Sequence, residues 1–297
     1  MDARSWRSFY EQERAALGEG GLAGLLTRAR PVDLPARGAI VFPHTKLRDS
    51  GELVAAAARA VVRSGREEVL ALGVLHGARA HDGDLLRAAR SGEEEARRKL
   101  RRVHGPGVPG DAGHWSEEFS LDGFRALLDV AAKLEGRRAP RLIERYPFLV
   151  GDTPHTLPGL DELRFILERG AALVATGDLI HHGETYGTPS RRRQFRSVRG
   201  TLTHAAESVT RGLTHLAEGD VKRFLHHAEG DKSDFRDPGA ALSGLLGHPL
   251  EVHLVEIRLV DYAATLGVDR PAWVAASLAT LAAPPPEPPS TSRTGLK

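Results

Sequence analysis

Two short apolar runs separated by one helix-length amphipathic stretch constrain this chain more than any other feature. The runs are Ala39-Ile40-Val41-Phe42 and Val69 to Leu75. Between them Leu53, Ala56, Ala57, Ala60, Val61 and Val62 recur on one helical face, and Ser64-Gly65 closes the stretch. A strand, helix, strand order of this length is a crossover, and crossovers join parallel strands. The rhythm returns further on. Residues 141–150 read as a strand closed by Gly151, residues 160–168 as a helix stopped by Arg169-Gly170, and residues 172–178 as another strand. The expected fold is α/β, a layered sandwich in which a mainly parallel or mixed sheet is flanked by helices.

The remaining segments fit around that frame. The opening reads as a polar helix through about Ala23, and the charged, glycine-rich stretch 81–114 as a solvated helix or a lid over the sheet rim. Leu202, Ala205, Val209, Leu213 and Leu216 mark one buried stripe on a helix expected over 194–227. A shorter helix is expected over 238–246, with Pro238 in its first turn. Residues 250–263 and 271–281 read as β-rich, and the proline-rich tail from Pro284 as extended and disordered. No linker interrupts the chain, which predicts one domain over 1–283 and a tail over 284–297.

Composition narrows the function classes. Lys+Arg and Asp+Glu number 41 and 39, so there is no basic stripe of the kind nucleic acid requires. No apolar stretch approaches the ~20 residues of a membrane helix, and the N-terminal Met1 to Trp6 lacks the apolar core of a secretory signal. A cytoplasmic protein with a small-molecule substrate is expected. With no cysteine, disulfides and thiolate ligands are excluded, and any metal must be held by nitrogen and oxygen.

Three of the 14 histidines, His44, His76 and His181, follow immediately on apolar runs read as buried strands. Ligands of open α/β sheets bind outside the carboxyl ends of the strands. Three imidazoles delivered there predict a metal site. Asp178, three residues before His181, is placed to accept a hydrogen bond from a ligating imidazole and fix its tautomer. His182 is held as the alternative to its neighbour. His81, His104, His204, His215, His226, His227, His248 and His253 are expected on the surface or satisfied in the core.

These blocks resemble a known family. Pro43-His44 with Gly51, Leu72 to His76, and Gly177-Asp178-Leu179-Ile180-His181-His182-Gly183 are similar to the three signature blocks of the Memo family (AmmeMemoRadiSam system protein B-like). That family lies within the class III extradiol dioxygenase (LigB-like) superfamily. Ser120-Leu121-Asp122, Pro147 to Gly151 and Trp273 to Ala279 resemble further blocks, so the likeness runs over most of the chain. It implies His44 and His76 as metal ligands and His181 as a third pocket histidine, the acid/base in the superfamily's dioxygenases. Anchored on Pro238, it places Asp234 at the third ligand position, with Asp231 and Asp237 as rivals. Asp237 also suits a plain helix-capping role before Pro238.

Departures are visible too. Thr45-Lys46-Leu47-Arg48-Asp49 replaces the family's usual continuation after the first histidine, and Phe119 in Glu118-Phe119-Ser120 stands where a pocket histidine is expected. Lys46 and Arg48 are candidates to bind a substrate carboxylate or phosphate. The resemblance implies a two-histidine, one-carboxylate Fe(II) site acting with O₂, copper or zinc being the other metals that suit nitrogen and oxygen donors. It further implies a dioxygenase-like oxidoreductase acting on a small aromatic or amino-acid-derived metabolite, with a homo-oligomer common in such folds. A non-catalytic metal-binding protein and a metal-dependent hydrolase are the competing classes.

Overall fold

The computed structural model describes residues 3–76, 83–111, 113, 115–188 and 198–284. His81 and the tail from residue 285, both subjects of the sequence reading, lie outside them.

Alternation along the central strands builds the fold. In β1 (Gly38–Phe42) Ile40 and Phe42 face one apolar cluster while Ala39 and Val41 face another. Strand β2 (Glu68–Leu72) divides in the same way, Val69 and Ala71 against Leu70 and Leu72. A strand buried on both faces needs helices on both sides, which is the condition of a parallel sheet. On one side lie α1 (Ala3–Arg28), α2 (Leu47–Arg63), α3 (Gly83–Ser91), α4 (Glu94–Leu100) and α5 (Asp122–Leu134). The other face carries α6 (Leu160–Glu168), α7 (Val198–Ala217), α8 (Val221–Gly230) and α9 (Arg236–Leu246).

The sheet is mixed. Strands β4 (Arg141–Phe148), β2, β5 (Ala172–Thr176) and β1 run parallel, and β3 (Arg102–His104) adds antiparallel to β4. Beyond β1 lies the antiparallel β8 (Trp273–Ala282), which also pairs with β7 (Glu251–Asp261) and with the three-residue β6 (Ile180–His182). A strand has only two edges. Because β7 pairs with β8 from Trp273 to Ala282, β1 and β6 share the opposite edge, β1 on Ala279–Ala282 and β6 on Trp273–Ala275. Strand β6 therefore stands beyond the carboxyl end of β1.

Two expectations change. The apolar run from Ala172 up to His181, read as one buried strand, is two: the chain leaves β5 at Gly177 and re-enters the sheet as β6. A Cβ at Gly177 would stand 2.6 Å from the Phe235 Cα, so only glycine lets the chain turn there. Residues 194–197 lie outside the described residues, and over the rest the helix read to 227 is two, because Gly219 takes a left-handed φ of 79° and Asp220 caps α8 through the Arg223 N–H. Within 81–114 the described residues form α3, α4 and β3, with Leu86, Ala89, Ala96 and Leu100 buried, so this stretch contributes to the core as well as to the surface. No helix among the described residues is long and apolar enough to cross a membrane.

Candidate metal centre

The carboxyl ends of β1, β2 and β5, the start of β6 and the turn between α8 and α9 meet at one place. His44 lies two residues past β1, His76 four past β2, Asp178 two past β5 and His181 within β6. Asp234 comes from the α8–α9 turn, where its Oδ1 accepts the Asp178 backbone N–H. The loop after β1 is fixed from α1, since the Glu13 carboxylate accepts the Leu47 and Arg48 N–H groups at the start of α2 (2.9 and 3.2 Å).

One oxygen organises the cluster. Asp234 Oδ2 lies 3.2 Å from His44 Nε2, 3.8 Å from His76 Nε2 and 3.9 Å from His181 Nε2. Donors sharing an ion at ~2.1 Å stand roughly 3.0–3.4 Å apart. The His44 pair meets that spacing as it stands, and the other pairs meet it after a shift of about half an ångström. His44, His76 and Asp234 form one group whose donor atoms all lie within 4.8 Å of one another, and Asp178, His181 and Asp234 form a second. Asp234 belongs to both. Its rivals are engaged elsewhere: Asp237 accepts the Val150 N–H, and Asp231 accepts the Ser208 hydroxyl beside His227.

The His76 and His181 imidazoles are each oriented through the other nitrogen. His76 Nδ1 faces the Glu118 carboxylate at 2.8 Å, and Glu118 also accepts the N–H groups of His76, Phe119 and Ser120 (2.6–3.2 Å). His181 Nδ1 donates to the Lys232 carbonyl at 2.8 Å, leaving Nε2 as the free lone pair. Lys232 holds that carbonyl in place with a left-handed φ of 55°, an uncommon conformation for a non-glycine residue. Asp178 is buried, its Oδ2 3.8 Å from His44 Nε2, and its Oδ1 meets no hydrogen-bond partner among the described residues. A buried carboxylate oxygen without a donor is the kind of atom a cation satisfies.

The electrostatics follow from this crowding. Burial pulls the His76 pKa down, but Glu118 and Asp234 outweigh it and carry the group up to about 10. His44 is raised as well, Asp234 and Asp178 overcoming burial. Burial would raise Asp234, yet the histidines hold it far below the usual carboxylate range. Burial pushes Asp178 up to about 6, aided by Asp234 and opposed by His44 and His181. Protons on the imidazoles neutralise the carboxylates when no cation does, so a metal must displace them to bind.

The cluster opens into a cavity of about 300 Å³ walled by Trp6, Tyr10, Phe119, Tyr186 and Tyr262, with Lys232 also among its lining residues. Phe119 stacks on the His76 ring, centroids 4.7 Å apart and planes 15° from parallel. Lys46, Arg48 and His182, the substrate-binding candidates of the sequence, are not among the residues that line it. The Lys46 ammonium donates to the Asp261 carbonyl and covers the Tyr262 ring, and Arg48 is exposed. His182 extends β6 beside His181 and pairs with Trp273. Sequence reasoning missed the role of Glu118, which sits in a short turn with no periodicity, and the α1 contribution of Trp6 and Tyr10. An acidic residue flanked by the aromatic that replaces a pocket histidine was the available signal for Glu118.

Compared with known proteins, the chain matches no family model and no curated protein.

Proposed function

We propose that this chain is a metal-dependent oxidoreductase of the Memo/LigB-like kind, acting with O₂ on a small aromatic metabolite. The observation that carries the reading is the convergence of the His44 and His76 Nε2 atoms on Asp234 Oδ2, with His181 Nε2 approaching the same oxygen. Two imidazoles and one carboxylate beside a cavity match the donor set of non-haem Fe(II) oxygenases. Iron held there would supply an electron source for O₂ and a Lewis acid for a substrate hydroxyl.

The protein's own part is binding and proton transfer. Aromatic walls bury a planar ring, and apolar burial of such a ring is the main source of affinity in a cavity of this kind. Glu118 holds His76 so that Nε2 faces the cluster. His181, its Nδ1 hydrogen fixed on the Lys232 carbonyl, is left to take a proton from a substrate hydroxyl at Nε2 and return it later. The likeness of the histidine-bearing blocks to the Memo family supports the same assignment.

The test is oxygen uptake by protein reconstituted with Fe(II) under anaerobic conditions and then offered a panel of catechols and aminophenols. The reading predicts uptake stoichiometric with substrate lost. In His181→Ala, turnover should fall by ~10²-fold or more while the metal is retained. No oxygen uptake with any of these substrates by the iron-loaded protein, or turnover that runs equally with Zn(II) and without oxygen, would contradict the reading.

A further inference from the structure

We propose that Tyr10 and Tyr262 act as one shared hydrogen-bond donor to the substrate, so that the preferred ring carries an oxygen acceptor in addition to the atoms that meet the metal. The proposal rests on the aromatic-substrate reading above and adds a requirement to it.

The two phenolic oxygens lie 2.9 Å apart, and the Lys46 backbone N–H donates to the Tyr262 oxygen at 3.0 Å. A phenol carries one hydrogen and can accept through its oxygen. If Tyr262 donates to Tyr10, the Tyr10 hydrogen has no acceptor among the described residues; if Tyr10 donates, the Tyr262 hydrogen has none. One O–H is always left over, and both side chains line the cavity beside the metal cluster. Tyr262 is buried and Tyr10 half-buried, so the leftover proton must find its acceptor in the cavity, where a ligand oxygen satisfies it and an apolar group strands it.

The pair is also held in position. Trp6 stacks on Tyr10 with planes 23° apart and meets Tyr262 edge-on, centroids 5.9 and 5.4 Å away. The Lys46 ammonium sits 4.3 Å from the Tyr262 ring centroid, itself anchored on the Asp261 carbonyl. Burial, with Asp178 adding to it at Tyr10, raises both phenols well above their ordinary range. They remain donors at any working pH. Rigid and protonated, the pair meets the conditions under which a hydrogen bond discriminates between ligands.

Sharing makes an unusual prediction. Either Tyr10→Phe or Tyr262→Phe removes the bond between the rings yet leaves one free O–H, whereas the double variant has none. The experiment titrates catechol and 3,4-dihydroxybenzoate into protein loaded with redox-inert Zn(II), reading affinity by calorimetry. In the unsubstituted protein the benzoate should bind about tenfold or more tighter than catechol. Each single variant should keep that preference within about threefold, and the double variant should lose it while holding catechol as before. A preference that survives in the double variant, or equal binding of both probes by the unsubstituted protein, overturns the proposal. Loss of preference in one single variant also overturns it, because the donor would then belong to that tyrosine alone. If zinc is taken up but neither probe binds, the aromatic-substrate reading fails and takes this inference with it.

Discussion

His76, just past β2, and His104, in β3, both face a carboxylate through Nδ1: Glu118 at 2.8 Å and Asp111 at 3.2 Å. Their second nitrogens differ. His104 Nε2 donates to the Leu100 carbonyl at 2.9 Å, in a side chain only 1% exposed. His76 Nε2 faces Asp234 across 3.8 Å, at the wall of an open cavity. His104 ties a loop to α4 and has no nitrogen left to give, whereas His76 keeps one. His76 is oriented by its carboxylate so that its lone pair points where an ion can sit. A buried histidine–carboxylate pair is therefore no sign of function by itself; what matters is where the other nitrogen points.

Truncating each ring should separate the two roles most widely. His76→Ala should lower metal affinity by more than a hundredfold and also cost about 1–3 kcal/mol in the metal-free protein, because it strands the buried Glu118 carboxylate. His104→Ala should leave affinity unchanged and cost about 1–3 kcal/mol of stability, the range for stranding buried hydrogen-bonding groups. Calorimetric metal titration and thermal unfolding together read both effects.

Altering the carboxylates is a finer probe. Glu118→Gln keeps the shape of the partner but weakens its hold on His76, and such outer changes typically lower metal affinity about 10–100-fold. Asp111→Asn should leave metal affinity untouched.

The smallest effect is in acid. Burial would raise Asp111, but the His104 ring and the Gly105 and Gly113 N–H groups outweigh it and bring its pKa to about 2. A carboxylate depressed in the fold stabilises above its unfolded pKa of ~3.9, and that stability is lost as pH falls towards the folded value. The unsubstituted protein should therefore lose roughly 1 kcal/mol between about pH 4 and 2 through this group, solvent screening reducing the full shift. Asp111→Asn should lack that part of the slope in a pH series of denaturant unfolding.

Much of the frame was legible in sequence because it is local. The α2 stripe and its flanking apolar runs give β1–α2–β2, and with it the positions of His44 and His76 at strand ends. His181 reached the same place by another route. Its strand pairs with β8, some 90 residues later, and no local pattern announces a contact of that range. The break at Gly219-Asp220 was masked by an apolar stripe that belongs to α7 alone. Asp234 emerged only through family resemblance, since an aspartate in a turn carries no periodic signal. The aromatic wall from α1 was hidden for a similar reason: Trp6 and Tyr10 lie far from the histidines in the chain and meet them only in the folded molecule.

The most direct test of the metal centre is elemental analysis of protein purified without oxygen or chelators and reconstituted with Fe(II), beside the Asp234→Ala variant. The account predicts about one iron per chain in the first and a loss of stoichiometric iron in the second, both remaining folded. Equal iron in the two proteins, or none in the first, would contradict it.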